Sequence, residues 1–169
     1  MVEDVRGALK LLGQAMAIER EGREFYLKAS QTTQDEKGRE TFAALGNDEE
    51  KHYALVKKQM DSLNLAGKWV TSSEKPRVGL DLSKPIFPKG KEALEKAVAA
   101  SARSSDWDAL LFGLDIETRS YELYQKGALE SSDPAGRRTF EFLAGQEQTH
   151  FELLMMRLDA LFGPVSWQS

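Results

Sequence analysis

Cysteine is absent from this chain. Disulfide frameworks, zinc knuckles, iron–sulfur clusters, haem-attachment motifs and thiol nucleophiles are excluded together, so any redox chemistry must run on other ligands. The absence also fits a reducing compartment, and a cytoplasmic location is expected. Long hydrophobic runs are missing too. No stretch reaches the roughly 18 apolar residues of a membrane-spanning helix, and the opening MVEDVRGALKLLG carries charges at Glu3, Asp4, Arg6 and Lys10. A soluble chain with no targeting segment and no membrane partner is expected. The net charge of −4 leaves no excess of positive charge, whereas a general nucleic-acid binder needs a basic face that displaces counterions from phosphate. No nucleic-acid partner is expected. The length, 169 residues, is that of one ordinary domain, enough to bury a core without a metal or disulfide acting as a staple.

Histidine is nearly absent as well, with two in the chain, and both stand three residues after a glutamate: Glu49 and His52 in NDEEKHYALV, Glu147 and His150 in GQEQTHFELL. Chance would give both histidines that neighbour roughly once in a hundred sequences of this glutamate content. The coincidence widens when the chain is laid on itself. Residues 18–63 align with residues 116–161 without a gap, and 16 of the 46 pairs are identical. Glu19 falls on Glu117, Tyr26 on Tyr124, Asp35 on Asp133, Glu49 on Glu147 and His52 on His150. The halves read as duplicates.

Each half reads as two long helices. Val5, Leu12, Ala15, Glu19, Tyr26 and Ala29 recur at helical spacing, followed by Phe42, Leu45, Glu49, His52, Val56, Met60 and Leu63. The second half repeats the pattern with Leu110, Leu114, Glu117, Tyr121 and Tyr124, then Phe140, Leu143, Glu147, His150, Leu154, Leu158 and Leu161. The candidate ligands therefore lie on apolar stripes. Breaks at SQTTQDEKG and LESSDPAG supply capping residues and an early proline. Helices are expected over about 3–31, 35–63, 105–130 and 134–161, within a single domain spanning residues 1–169. In each hairpin the glutamate of the first helix and the Glu-x-x-His pair of the second lie about 15 residues, or roughly 23 Å, from the turn. Six ligands thus meet at mid-bundle.

Residues 64–104 are too long for a turn between neighbours. They contain Pro76, Pro85 and Pro88, with a short helix expected around KEALEKAVAASA. Such a connection returns the chain along the full bundle, which gives an all-α, ferritin-like four-helix bundle of two hairpins and one long crossover. The crossover is basic, carrying Lys68, Lys75, Arg77, Lys84, Lys89 and Lys91 against Glu74 and Asp81 over residues 66–91. It reads as a solvated loop or as a docking face for an acidic electron donor. Trp69 and Phe87 are expected to pin it to the bundle.

Four carboxylates turned into a helical core repel one another and cost several kcal/mol each in lost hydration unless they are protonated or neutralised. Two divalent cations cancel four negative charges. An oxygen-rich set with two imidazoles suits iron, or manganese or another hard divalent ion, better than a soft metal. A lone buried histidine is ordinarily a satisfied core residue; two of them, each paired with a glutamate and level with a further one, favour metal. Glu from two helices with Glu-x-x-His from the other two is also the known pattern of ferritin-like dimetal proteins.

The segments AIEREGREFY…EEKH and DIETRSYELY…EQTH resemble the di-iron four-helix domain of the rubrerythrin group, and KPIFPKGKEAL is similar to that group's crossover strap. The resemblance implies that Glu49 and Glu147 bridge two irons, that Glu19 and Glu117 are terminal or chelating ligands, and that His52 and His150 each cap one metal. Tyr26 and Tyr124 would sit just outside the ligands; from spacing alone they are either packing residues or ligand contacts. Gly22 and Ser120, each three residues after a ligand, either leave room for an oxygen species or mark close helix contacts. The resemblance further implies a homodimer. Two departures stand out. The four-cysteine rubredoxin-type centre is missing, so electrons would come from a separate donor, with a rubredoxin-like protein among the candidates. Ser120 stands where the group places an additional glutamate.

The leading expectation is a non-haem di-iron oxidoreductase, a peroxidase that reduces hydrogen peroxide or dioxygen. The alternatives are a ferroxidase handling iron, an oxygenase, and a non-enzymatic metal-binding bundle. No helix is expected after residue 161 to build a storage shell.

Overall fold

The computed structural model describes residues 2–71, 73–83 and 105–164, with side chains from residue 5 onward. Four helices account for most of it: α1 (Val2–Thr32), α2 (Glu36–Ala66), α3 (Ser105–Glu130) and α4 (Pro134–Phe162). No strand occurs among the described residues. The short helix expected within 91–102, and Phe87, Lys84, Lys89 and Lys91, lie outside them.

The turns are capped by the matched aspartates. Asp35 accepts from the Gly38 amide at 2.6 Å to start α2, and Asp133 accepts from the Ala135 amide at 2.8 Å to start α4, with Pro134 in the first turn. Helix α2 runs three residues beyond the expected end at Leu63. Its apolar stripe stops there, but the backbone continues to a left-handed Gly67 (φ 63°), whose amide donates to the Leu63 carbonyl.

The direction of the crossover follows from contacts at one end. The Asp106 carboxylate, at the start of α3, accepts from the backbone amides of Gln34 and Asp35 in the α1–α2 turn, each at 3.0 Å. Arg157, in the last turns of α4, pairs with Asp35. Helix α3 therefore begins at the end where α1 stops, while α2 finishes at the other, about 45 Å away along its own length. This is the ferritin-like arrangement, with each helix antiparallel to its hairpin partner.

The core divides into two apolar clusters. One, toward the α1–α2 turn, contains Tyr26, Phe42, Leu45, Leu110, Leu114 and Leu154; the other contains Leu12, Val56, Tyr121, Tyr124, Phe140 and Leu143. The polar layer of the candidate ligands lies between them.

Residues 68–71 and 73–82 are fastened along this scaffold. The buried Gln59 side chain both accepts from and donates to the Val70 backbone at 2.9 Å, and Trp69 packs edge-on against Phe140. Arg77 makes a two-pronged pair with Glu152 at 3.0 and 3.1 Å, and Gln125 donates to the Leu82 carbonyl. This part of the strap is a held segment, with Arg77 engaged on the bundle.

Helices α3 and α4 approach closely at Gly127, where an added Cβ would stand 2.7 Å from the Phe140 ring. Gly127→Ala is expected to cost about 1–3 kcal/mol through forced ring displacement, lowering Tm by about 3–10 °C. Gly13→Ala, at a helical position with nothing within 4 Å, is expected to gain about 0.5–1 kcal/mol instead. Thermal unfolding of the two variants checks the contrast.

Candidate metal centre

Six side chains converge midway along the bundle, one glutamate each from α1 and α3 and a Glu-x-x-His pair each from α2 and α4. On a helix, residues three apart share a face, so Glu49 and His52 both point inward, as do Glu147 and His150. All six are at most 4% exposed. Glu49, His52, Glu147 and His150 each offer a ligand atom within 4.8 Å of the others. Glu19 and Glu117 complete the set at 3.5 Å from the Nδ1 atoms of His52 and His150 respectively.

The contacts sort into two groups sharing a member. His52 Nδ1 faces Glu49 Oε2 at 3.0 Å, Glu147 Oε1 at 3.1 Å and Glu19 Oε2 at 3.5 Å. His150 Nδ1 faces Glu49 Oε1 and Glu117 Oε2, each at 3.5 Å. Glu49 thus presents one oxygen to each histidine. The imidazoles lie nearly parallel, with centroids 5.3 Å apart.

The tyrosines cross between hairpins. Tyr26 on α1 donates to Glu117 on α3, and Tyr124 on α3 donates to Glu19 on α1. Both pairs belong to a single antiparallel register, so each terminal glutamate is held by the other half of the molecule. Spacing had placed the tyrosines on the ligand face; it could not reveal that they reach across.

The electrostatics are those of crowded charge. Burial, then the charge of Glu49, pushes the Glu19 carboxyl up to about 8. Glu147 is raised for the same two reasons, with Glu19 and Glu117 adding to the repulsion. Burial also pushes Glu49 upward, yet its contacts with His150, His52 and Glu19 outweigh it and hold this carboxyl below the usual range. Burial lowers both imidazoles, but the surrounding carboxylates prevail and raise them well above 6.5. Both tyrosine hydroxyls are raised by burial and by the neighbouring glutamates, so they stay protonated and act as donors.

Orphaned atoms test whether a metal pair fits. Glu49 Oε1, Glu117 Oε2, both oxygens of Glu147 and His150 Nδ1 are buried with no hydrogen-bond partner, a costly state in a core. All five lie on the ligand groups at the same depth. Ligand atoms sharing one ion through bonds of about 2.1 Å at right angles stand about 3 Å apart, close to the 3.0–3.5 Å separations between the imidazoles and carboxylates. The donors present fit divalent metal.

A family model described as Rubrerythrin matches residues 10–158. The chain belongs to the rubrerythrin family. Among solved structures, a hypothetical protein from Pyrococcus furiosus is similar over 91% of this chain and 89% of its own, at 22% identity and a TM-score of 0.64. That likeness bears on the fold, which it shares. No curated protein matches.

Within this rubrerythrin-family bundle, one neighbour of the centre, Asp48, escaped the sequence reading. Asp48 places Oδ2 3.5 Å from His150 Nε2, on the outer edge of the ring. The clue was its place beside Glu49, but only the ring orientation reveals the contact. Gly22 lies against the centre, where an added Cβ would meet Glu49 Cγ at 3.5 Å and Ile116 at 3.4 Å. Ser120, its counterpart, is buried. A cavity of about 390 Å3 between α2, α4 and the strap reaches His52, lined also by Asp48, Lys51, Lys58, Glu74 and Gln146. No described helix is long and apolar enough to cross a membrane.

Proposed function

We propose that this chain is a di-iron redox protein that reduces hydrogen peroxide, and dioxygen more slowly, with electrons from a separate donor. The observation that carries the reading is the convergence of four carboxylates and two imidazole Nδ1 atoms on one buried layer, with five of their atoms unpartnered. One iron would be held by Glu19, Glu49, Glu147 and His52, and the other by Glu117, Glu49, Glu147 and His150. When bound, the pair would supply two electrons to an oxygen–oxygen bond and stabilise the charge that develops on both oxygens.

The chain's own residues supply the rest. Tyr26 and Tyr124 hold one oxygen each of Glu117 and Glu19, which orients the terminal carboxylates. The apolar clusters above and below keep bulk water from the layer. Small oxidants enter beside His52 through the polar cavity. With no cysteine in the chain, reducing electrons come from a partner protein, which meets a homodimer of this chain.

Anaerobic reconstitution should give about two Fe(II) per chain by elemental analysis, since two divalent ions balance four carboxylates. Stopped-flow mixing should then show faster oxidation by stoichiometric peroxide than by dioxygen. Faster oxidation by dioxygen, with iron accumulating far beyond two per chain in a large assembly, would mark a ferroxidase instead. Iron that neither oxidant reaches would leave a non-enzymatic metal-binding bundle.

A further inference from the structure

The two halves offer matching ligands, Glu19 with Glu117, Glu49 with Glu147 and His52 with His150, yet the residues behind the histidines differ. Asp48 precedes Glu49, whereas the matched position before Glu147 is Gln146. Asp48 stands at the outer edge of His150, with Oδ2 3.5 Å from Nε2, and its other oxygen accepts from Lys51 Nζ at 2.7 Å. Lys51 is an exposed side chain whose charge is screened by water; its contact steadies the carboxylate with Oδ2 turned to the ring. The histidines therefore differ at Nε2. Among the described residues every ion pair of His52 is made through Nδ1, and Gln146, which shares the cavity with His52, is a neutral amide.

A carboxylate behind an imidazole keeps the proton on the outer nitrogen, leaves the inner lone pair free for metal and makes that nitrogen a stronger donor. An amide lacks the charge. The cavity adds to the difference, since its lining includes His52 and not His150.

Resting on the dimetal reading above, we propose that Asp48 is a positioning residue that makes the two metal sites unequal: the site of His150 and Glu117 binds a divalent ion about tenfold more tightly than the site of His52 and Glu19. The metals then load in a fixed order, the site away from the cavity first.

Cobalt(II) tests this without reference to turnover. Crystals of the full chain grown with one equivalent of Co(II) should show anomalous scattering about three times stronger at the His150 site than at the His52 site, the occupancy ratio that a tenfold affinity difference gives when two sites share one equivalent. Asp48→Asn keeps the shape and removes the charge, and should bring the two occupancies to near equality. Gln146→Asp should narrow the gap by strengthening the His52 site, and the double variant should reverse the order. Circular dichroism and a capacity of two Co(II) per chain in excess metal should stay unchanged, which a mere folding defect would not allow. Equal occupancy in the natural chain, or an order indifferent to Asp48→Asn, would overturn the inference while leaving the dimetal reading intact. A capacity below two in the natural chain would overturn both.

Discussion

Glu49→Ala is expected to empty both metal positions, taking the roughly two Fe(II) per chain expected of the natural protein to nearly none under the same loading. The reason is geometric: Glu49 turns Oε2 to His52 Nδ1 at 3.0 Å and Oε1 to His150 Nδ1 at 3.5 Å, so one side chain serves both groups. Glu147→Ala should behave alike, since both of its oxygens are buried among the ligands without a partner. An affinity loss on the order of 100-fold or more at each position is expected, because deletion removes the ligand itself rather than a support for it. His52→Ala offers the contrast. Its Nδ1 meets Glu19, Glu49 and Glu147 but not Glu117, so about one metal should remain. Elemental analysis after equilibrium dialysis separates the cases, and loss of just one metal from Glu49→Ala would contradict bridging.

The metal-free protein should lose stability as pH rises from 5.5 to 8, while the metal-loaded protein should not. In the metal-free state Glu19 has a carboxyl pKa of about 8 in place of 4.5, and Glu147 is raised too, each chiefly by burial and then by Glu49. Across that window the folded state therefore binds more protons than the unfolded state, and its stability falls with pH. His52 and His150, raised above 6.5 by their carboxylates, act in the same direction: their stabilising charge is fully present below 6.5 and fades as pH climbs through the folded values. Glu49, held low by its histidine contacts, acts oppositely, but its contribution changes below this window. A net loss of roughly 2–3 kcal/mol, or about 5–10 °C in Tm, is expected. Metal replaces the protons, so its affinity grows with pH and the two melting curves should separate. Calorimetry with chelator and with Mn(II) at both pH values provides the check; a metal-free Tm that held steady would count against crowded carboxylates as the cause.

Much of this could be read beforehand because the features are local. A stripe that passes through Glu19, Tyr26 and the two Glu-x-x-His pairs needs only helical periodicity, and the turns declare themselves through Asp35, Asp133 and Pro134. Distance from each turn then sets depth, which brings Glu19, Glu49 and His52 to one level by counting residues alone. What stayed hidden depends on how the hairpins face one another. The reach of Tyr26 to Glu117 requires the register between α1 and α3, which spacing within a hairpin does not determine. Asp48 becomes visible only when the His150 ring is oriented. The hold of Gln59 on the Val70 backbone joins a helix to an irregular segment with no periodic pattern to announce it.

The exchange of tyrosines has a consequence for how the chain is put together. Glu19 finds its hydroxyl on Tyr124 and Glu117 finds its own on Tyr26, so the hydroxyl donor of each of these buried acids comes from the opposite hairpin. Because Glu19 and Tyr26 match Glu117 and Tyr124 position for position, a hairpin of either kind set against its own copy would offer the same complement of donors and acceptors. The interior is thus the interface of a two-fold dimer whose subunits happen to be covalently joined. Residues 67–104 act as the tether: they turn an encounter that would depend on concentration into a folding step within one molecule, and free each half to diverge, as Asp48 and Gln146 have done, without the other half being forced to follow.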